Sequence, residues 1–279
     1  MTRNTNATTD RWTMSDTRAL IAEGGTLLTP MAANAKTRKQ LAKQGIEGRI
    51  LHLAPHGSVA PYLGRDVTVC PMALLNKCAD PCLDTAGRGQ IRRESDLILA
   101  TIHRARIRRT SRYFLDREGF LAQLRRELAN LQTLAERKGL RPVARLDGTS
   151  DLGLAFLLAP EFPGITFYDY TKVPTRVRRP RPANHHVTFS RGAGNEPEAL
   201  RLLGEGHNVA VVFTTRPGEA LPETWRGFPV ISGDANDFRF TDPTGRGYVI
   251  GLTAKGRARR DTSGFVVDAT TGEALQLAA

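Results

Sequence analysis

Three cysteines, Cys70, Cys78 and Cys82, are the only ones in the chain, and all fall within a single short stretch. Thiolates crowded together repel one another unless a cation offsets them, so the pattern C-x7-C-x3-C favours a bound metal over three buried free thiols. Three thiolates can hold three irons of a 4Fe-4S cluster and leave the fourth iron open to substrate or cofactor. With one histidine they can instead hold Zn²⁺, and His52, His56 and His103 are the nearby candidates. The spacing lacks the paired C-x2-C knuckles of a zinc ribbon, which ranks iron–sulfur above zinc. Directly after the block, Gly87-Arg88-Gly89 has the make-up of an anion clamp, with glycines for close backbone approach and Arg88 for charge.

A second set of reactive side chains recurs where short apolar runs end. Asp147, Ser150 and Asp151 follow one run, Asp169 and Lys172 the next, and Ser190 and Arg191 another. Asp234, Asp237 and Arg239 close a fourth, and Lys255 a fifth. Carboxylates facing one cavity raise one another's pKa, which suits Asp147, Asp151, Asp169, Asp234 and Asp237, with Lys172, to acid–base work. Arg88, Ser150, Ser190, Arg191, Arg239 and Lys255 are the candidates for holding a cofactor or an anionic group. The competing reading makes about half of the aspartates helix caps and turn formers.

The elements that must position these groups alternate. Apolar runs at Ile50–Ala54, Pro142–Leu146, Ile165–Tyr168, His186–Phe189, Val209–Phe213, Pro229–Ile231 and Tyr248–Leu252 read as strands. Helical spacing begins near Ser95 or Asp96, restarts at Asp116, and stops at Gly139; shorter helices are expected at Leu154–Leu158 and Glu196–Leu203. Strands separated by crossovers imply parallel pairing, so the expected class is α/β, a partial or complete (β/α) barrel whose reactive rim lies at the strands' carboxyl ends. Residues 1–45 read as a mobile polar arm. Residues 46–279 read as one barrel-like domain with its metal loop at 66–90. Adjacent His185 and His186 on a strand should point to opposite faces.

The charge limits the partners. With 40 Lys+Arg against 28 Asp+Glu the net charge is +12, and such proteins meet nucleic acid, nucleotides or other anionic surfaces. The arginines cluster at 88–112, at 176–181 and at 257–260. No apolar run reaches membrane-spanning length and no secretory signal is apparent, so the expected setting is the cytoplasm. The oligomeric state is not legible.

Several blocks resemble a family of largely uncharacterised proteins from tailed phages, prophages and plasmids. They are Ile50-Leu51-His52-Leu53-Ala54-Pro55, Cys70-Pro71-Met72-Ala73 with Cys82-Leu83-x-Thr85-Ala86-Gly87-Arg88-Gly89, and Arg145-Leu146-x-Gly148-Thr149-Ser150-Asp151. Phe167-Tyr168-Asp169-Tyr170-Thr171-Lys172, Val187-Thr188-Phe189-Ser190-Arg191 and the closing Gly251-Leu252-x-Ala254-Lys255-Gly256 continue it. The resemblance implies a mobile-element origin and a bacterial host cytoplasm. A looser similarity to radical S-adenosylmethionine (SAM) enzymes implies an iron–sulfur cluster on Cys70, Cys78 and Cys82 and S-adenosylmethionine as cofactor. The chain departs from their usual C-x3-C-x2-C spacing, and no Gly-Gly-Glu-like segment is evident. A third similarity, to zinc-bearing base-exchanging transglycosylases, implies an aspartate nucleophile among Asp147, Asp151 and Asp234. The leading expectation is a metal- or Fe–S-dependent enzyme acting on nucleic acid or a nucleotide. The alternatives are a non-catalytic nucleic-acid-binding protein with a structural metal, and a zinc-dependent transglycosylase.

Overall fold

The long helix shows how the local code is met. Asp116 caps it by accepting from the Gly119 N–H at 3.0 Å, Arg137 and Lys138 occupy its last turn, and Gly139 ends it at φ 62°. A basic last turn and a left-handed glycine are what a helix carboxyl end favours. The computed structural model describes residues 12–33, 35–87, 100–216 and 218–276.

In chain order the amino-terminal part holds α1 (Met14–Ala22), β1 (Leu28–Pro30), α2 (Ala35–Gln44), β2 (Ile46–Leu51) and α3 (Ala60–Leu63). The middle holds α4 (Thr101–Leu115), α5 (Arg117–Lys138), β3 (Arg141–Arg145), α6 (Leu154–Leu158), β4 (Thr166–Thr171) and α7 (Pro174–Arg178). Then come β5 (His185–Ser190), α8 (Glu196–Gly204), β6 (Val209–Phe213), β7 (Thr224–Trp225) and β8 (Phe228–Ser232). The chain closes with β9 (Val249–Thr253), β10 (Ser263–Val267) and β11 (Ala274–Gln276).

These strands form one eleven-stranded sheet in the order β1-β2-β3-β4-β5-β6-β9-β8-β7, with β10 on the end of β6 and β11 on β10. From β2 through β8 every neighbour is parallel, which makes seven parallel strands. The protein is thus mixed α/β on a largely parallel sheet, the class expected from the alternation.

Strand parity sorts the side chains. Leu51, Ala144, Leu146 and Phe167 pack with Phe120, Leu124, Leu128 and Leu158 of α5 and α6. Phe189, Val209, Val211 and Phe213 pack with Ala199, Leu202 and Leu203 of α8. The opposite parity, Ile46, Val143 and Tyr168, meets Met31, Leu41 and Phe238 on the inner face. Among the described residues β2 and β8 are not paired to each other. Instead α2 bridges toward the loop after β8: Gln40 Nε2 donates to the Ala235 carbonyl at 3.0 Å, and Thr37 Oγ1 to Asp237 Oδ2 at 3.3 Å.

Two expectations are corrected. Of residues 1–45, read as a mobile arm, the described part, 12–33 and 35–45, is folded. Thr13 caps α1 through a capping box, β1 pairs antiparallel with β2, and Leu20, Leu27, Leu28 and Met31 are buried. The weak periodicity of this stretch hid short elements that depend on tertiary partners: the Glu127 carboxylate accepts from the Leu27 and Leu28 N–H groups at 2.9 and 2.7 Å. The first central strand also starts earlier than expected, at Ile46. Gly48 sits where a Cβ would strike Met31 Sδ at 2.6 Å, so the strand continues under that side chain. The expected Ser95 or Asp96 cap lies outside the described residues.

Candidate functional site at the carboxyl ends of the strands

Beyond β2 the chain enters the cysteine loop, which the rest of the protein clamps down. The Asp151 N–H donates to the Val69 carbonyl at 2.8 Å, the Ala193 N–H to the Asn76 carbonyl at 3.1 Å, and the Arg257 N–H to Thr85 Oγ1 at 3.1 Å. Gly192 and Gly194 leave no room for a Cβ against Asn76 and the Leu75 carbonyl, so the loop rests directly on the backbone after β5. Asp84, behind Cys82, is buried in an ion pair with Arg106 of α4.

Under this loop opens a cavity of about 320 Å³. One wall is apolar and sulfur-bearing: Cys70, Met72, Cys78, Cys82, Leu83 and Phe265. The other comes from the strand ends. Arg145, Asp147, Ser150 and Asp151 follow β3, Tyr170 and Lys172 belong to β4 and its end, and Ser190 ends β5. Asp234 and Asp237 follow β8, and Lys255 follows β9. Eleven of the side chains expected at a site therefore meet here: the three cysteines, Asp147, Asp151, Asp234, Asp237, Lys172, Ser150, Ser190 and Lys255.

Three others do not line the cavity. Asp169 has the helix-side parity of Phe167; it is buried and accepts from the Asp147 N–H at 2.7 Å. The Arg191 guanidinium runs under β10, donating to the Gly264 and Phe265 carbonyls at 2.6 and 2.9 Å and pairing with Glu196. Arg239 lies beneath the turn after β8 and donates to the Asn236 carbonyl. Arg88 falls outside the described residues. Sequence reading missed Arg145 and Phe265 as residues of the site. For Arg145 a signal existed, since it shares strand parity with Val143 and Asp147.

Much of the polar rim is engaged in holding itself. Asp147 accepts from Ser150 Oγ at 2.6 Å and from the Leu152 and Gly153 N–H groups at 2.9 and 2.8 Å. Asp151 accepts from the Lys172 N–H at 2.9 Å, from Thr171 Oγ1 at 2.8 Å and from Arg176. Burial raises its pKa against the pull of these donors. Burial likewise raises Asp169 well above the usual carboxylate range, with Asp147 adding to it. At Asp234 burial is outweighed by the Lys255 ammonium and the Thr253 N–H, so its carboxyl is held low. Lys172 donates to Ser190 Oγ at 2.8 Å and to the Arg191 carbonyl at 2.9 Å, and burial lowers its pKa.

None of the three cysteines is in a disulfide, and each is partly exposed. Burial pushes Cys70 up to about 12, and the fields of Cys82 and Cys78 add to it; burial also raises Cys78, with Lys172 opposing. Among the described residues no three His, Cys, Asp or Glu side chains are already gathered as a metal site. None of His52, His56 and His103 lines the cavity. As expected, His185 and His186 diverge, one ring against Phe156 and the other against Phe240.

Among the described residues, many arginines of two clusters are paired within the protein. On α4, Arg104 pairs with Glu23, Arg106 with Asp84, and Arg109 donates to the Thr26 carbonyl at 3.0 Å. On and after α7, Arg176 binds Asp151, Arg178 binds Glu198 and Glu205, and Arg181 donates to the Val177 carbonyl at 2.7 Å. Among the described residues no helix is long and apolar enough to cross a membrane.

Fold and site together define an α/β protein with a strand-end cavity roofed by a three-cysteine loop. A sequence model of the family described as Gene product 88 matches residues 26–269, and the chain belongs to that family, which is of phage origin. No curated protein and no solved structure matches it.

Proposed function

We propose that this protein is a metal-dependent enzyme of a mobile element, in which Cys70, Cys78 and Cys82 hold a 4Fe-4S cluster above the cavity and a nucleotide, free or within nucleic acid, enters beneath it. The observation that supports this most is that all three thiols of the chain face the same cavity as charged groups from the ends of β3, β4, β8 and β9. A staple that only tied down a loop would not need a cavity on its inner side lined with Lys172, Asp234 and Lys255. Three soft sulfur donors with an apolar surround of Met72, Leu83 and Phe265 suit iron–sulfur chemistry, and three protein ligands would leave one iron for a bound molecule. When bound, the cluster would supply electron transfer or a site for a cofactor such as S-adenosylmethionine. Loading it requires the thiols to ionise and the loop to draw them together, which metal binding itself drives.

The chain's own residues have separable tasks in this reading. Asp151 and Lys172, tied through the Lys172 N–H, fix the edge of β4 beside Cys78. Asp234 and Lys255 form a polar pair at the cavity wall that can exchange partners with an incoming hydroxyl or amine. The test is Cys78→Ser in full-length protein prepared without oxygen, with Cys70→Ser and Cys82→Ser beside it. Each should lose the bound metal while keeping the wild-type circular dichroism, and metal content equal to wild type would overturn the reading.

A further inference from the structure

Around the cavity most charged side chains already have partners: Asp147 and Asp151 accept several hydrogen bonds each, Asp234 pairs with Lys255, and Lys172 is held by Ser190 and Arg191. Arg145 differs. It lines the cavity, yet it makes no hydrogen bond or ion pair among the described residues, and its Nε is buried without an acceptor. Its guanidinium is nonetheless fixed in place, 4.8 Å from the centre of the Tyr170 ring and 5.9 Å from that of Tyr168. Aromatic faces attract a guanidinium and hold its plane without using its donors. A buried donor without an acceptor costs roughly 1–3 kcal/mol, while the two terminal nitrogens are accessible and have no acceptor among the described residues, so it is this end of the guanidinium that a ligand in the cavity would complete. Asp169, whose carboxyl feels the Arg145 charge, is buried with Oδ1 accepting from the Asp147 N–H and Oδ2 without a partner, and it forms no ion pair with Arg145.

We propose that Arg145 anchors a phosphate group in the cavity, so that the ligand is a nucleotide-sized phosphate ester. The fork of a guanidinium matches two oxygens of a phosphate, and a pair of this kind forms a charge-assisted double hydrogen bond. Phosphate is favoured over carboxylate because its oxygens carry more charge for the guanidinium fork to bind, while the carboxylates at the cavity are occupied by neighbouring donors. A volume of about 320 Å³ suits a ligand larger than the anion alone. The inference deepens the reading of the cavity as a nucleotide site, but it does not depend on the metal.

The test uses full-length protein and calorimetric titration with inorganic phosphate, nucleoside 5′-monophosphates, the matching nucleosides and acetate. Wild type should bind phosphate and at least one monophosphate, and prefer them to nucleosides and acetate. Arg145→Gln should weaken phosphate and monophosphate binding by about tenfold or more, and Arg145→Lys should recover part of the loss by restoring charge without the fork. Both variants should stay folded and melt within a few degrees of wild type, since Arg145 makes no internal hydrogen bond and only its contacts with the Tyr168 and Tyr170 rings change; should Arg145→Gln fail to fold, Arg145→Lys still must bind more weakly than wild type. Equal binding by wild type and variants, binding of acetate in preference to phosphate, or no binding by any of these probes would overturn the proposal. Metal content measured on the same samples keeps the two readings apart. Phosphate binding that depends on Arg145 in a protein that takes up no metal would leave this inference standing and remove the cluster.

Discussion

Asp147 shows how a residue type that can do chemistry is also a residue type that builds loops. Its two oxygens accept from Ser150 Oγ and from two consecutive N–H groups, an arrangement that closes the turn into α6. Turn formation therefore accounts for the carboxylate at this position, whereas Asp234 and Asp237 reach the cavity wall from the loop after β8. Removing the Asp147 acceptors would leave two N–H groups unsatisfied. Asp147→Ala should cost about 3 kcal/mol in denaturant unfolding, and Asp147→Asn, which keeps one acceptor oxygen, about 1 kcal/mol. Wild-type stability in Asp147→Ala would show that the turn does not need the carboxylate. What sequence could not show at this scale was direction. Arg191 and Arg239 carry the right chemistry but point beneath the rim, where backbone carbonyls accept from them.

At the scale of elements, the central parallel strands and the long α5 were legible because each combines a strong pattern with clear punctuation. Val209–Phe213 was read with its observed limits, and the Asp116 cap and Gly139 stop were read as found. The missed strands are short or depend on a partner for their pairing. β1 has three residues and β7 two, and β10 joins the sheet through Val267 opposite Phe213. β5 offers a pH test. His185 is buried against Phe156 of α6, and burial lowers its pKa to about 4 from 6.5. As pH falls below 6.5 the unfolded chain takes up a proton that the folded chain refuses until about pH 4, so stability declines across that window. His185→Leu should flatten the decline by up to about 3 kcal/mol in melts between neutral pH and pH 4. The same slope in variant and wild type would contradict the burial of a neutral ring.

For the whole molecule, the excess of positive charge has acquired a different meaning from the one composition suggested. A run of arginines invites a phosphate-binding surface, yet those of α4 fasten residues 23–29 and the cysteine loop, and those near α7 fasten Asp151 and α8. The meeting of the loop with the strand ends was legible in outline, because a parallel α/β sheet gathers the carboxyl ends of its strands on one side. The unfilled guanidinium of Arg145 was not, since its isolation depends on what surrounds it in space. Whether the loop over this cavity holds the proposed iron–sulfur cluster is decided by counting iron, acid-labile sulfide and zinc in full-length protein purified without oxygen. With the cluster in place the protein should be brown, absorb at about 400 nm, and carry about four irons and about four sulfides per chain. A colourless protein holding one zinc, or no metal at all, would contradict it.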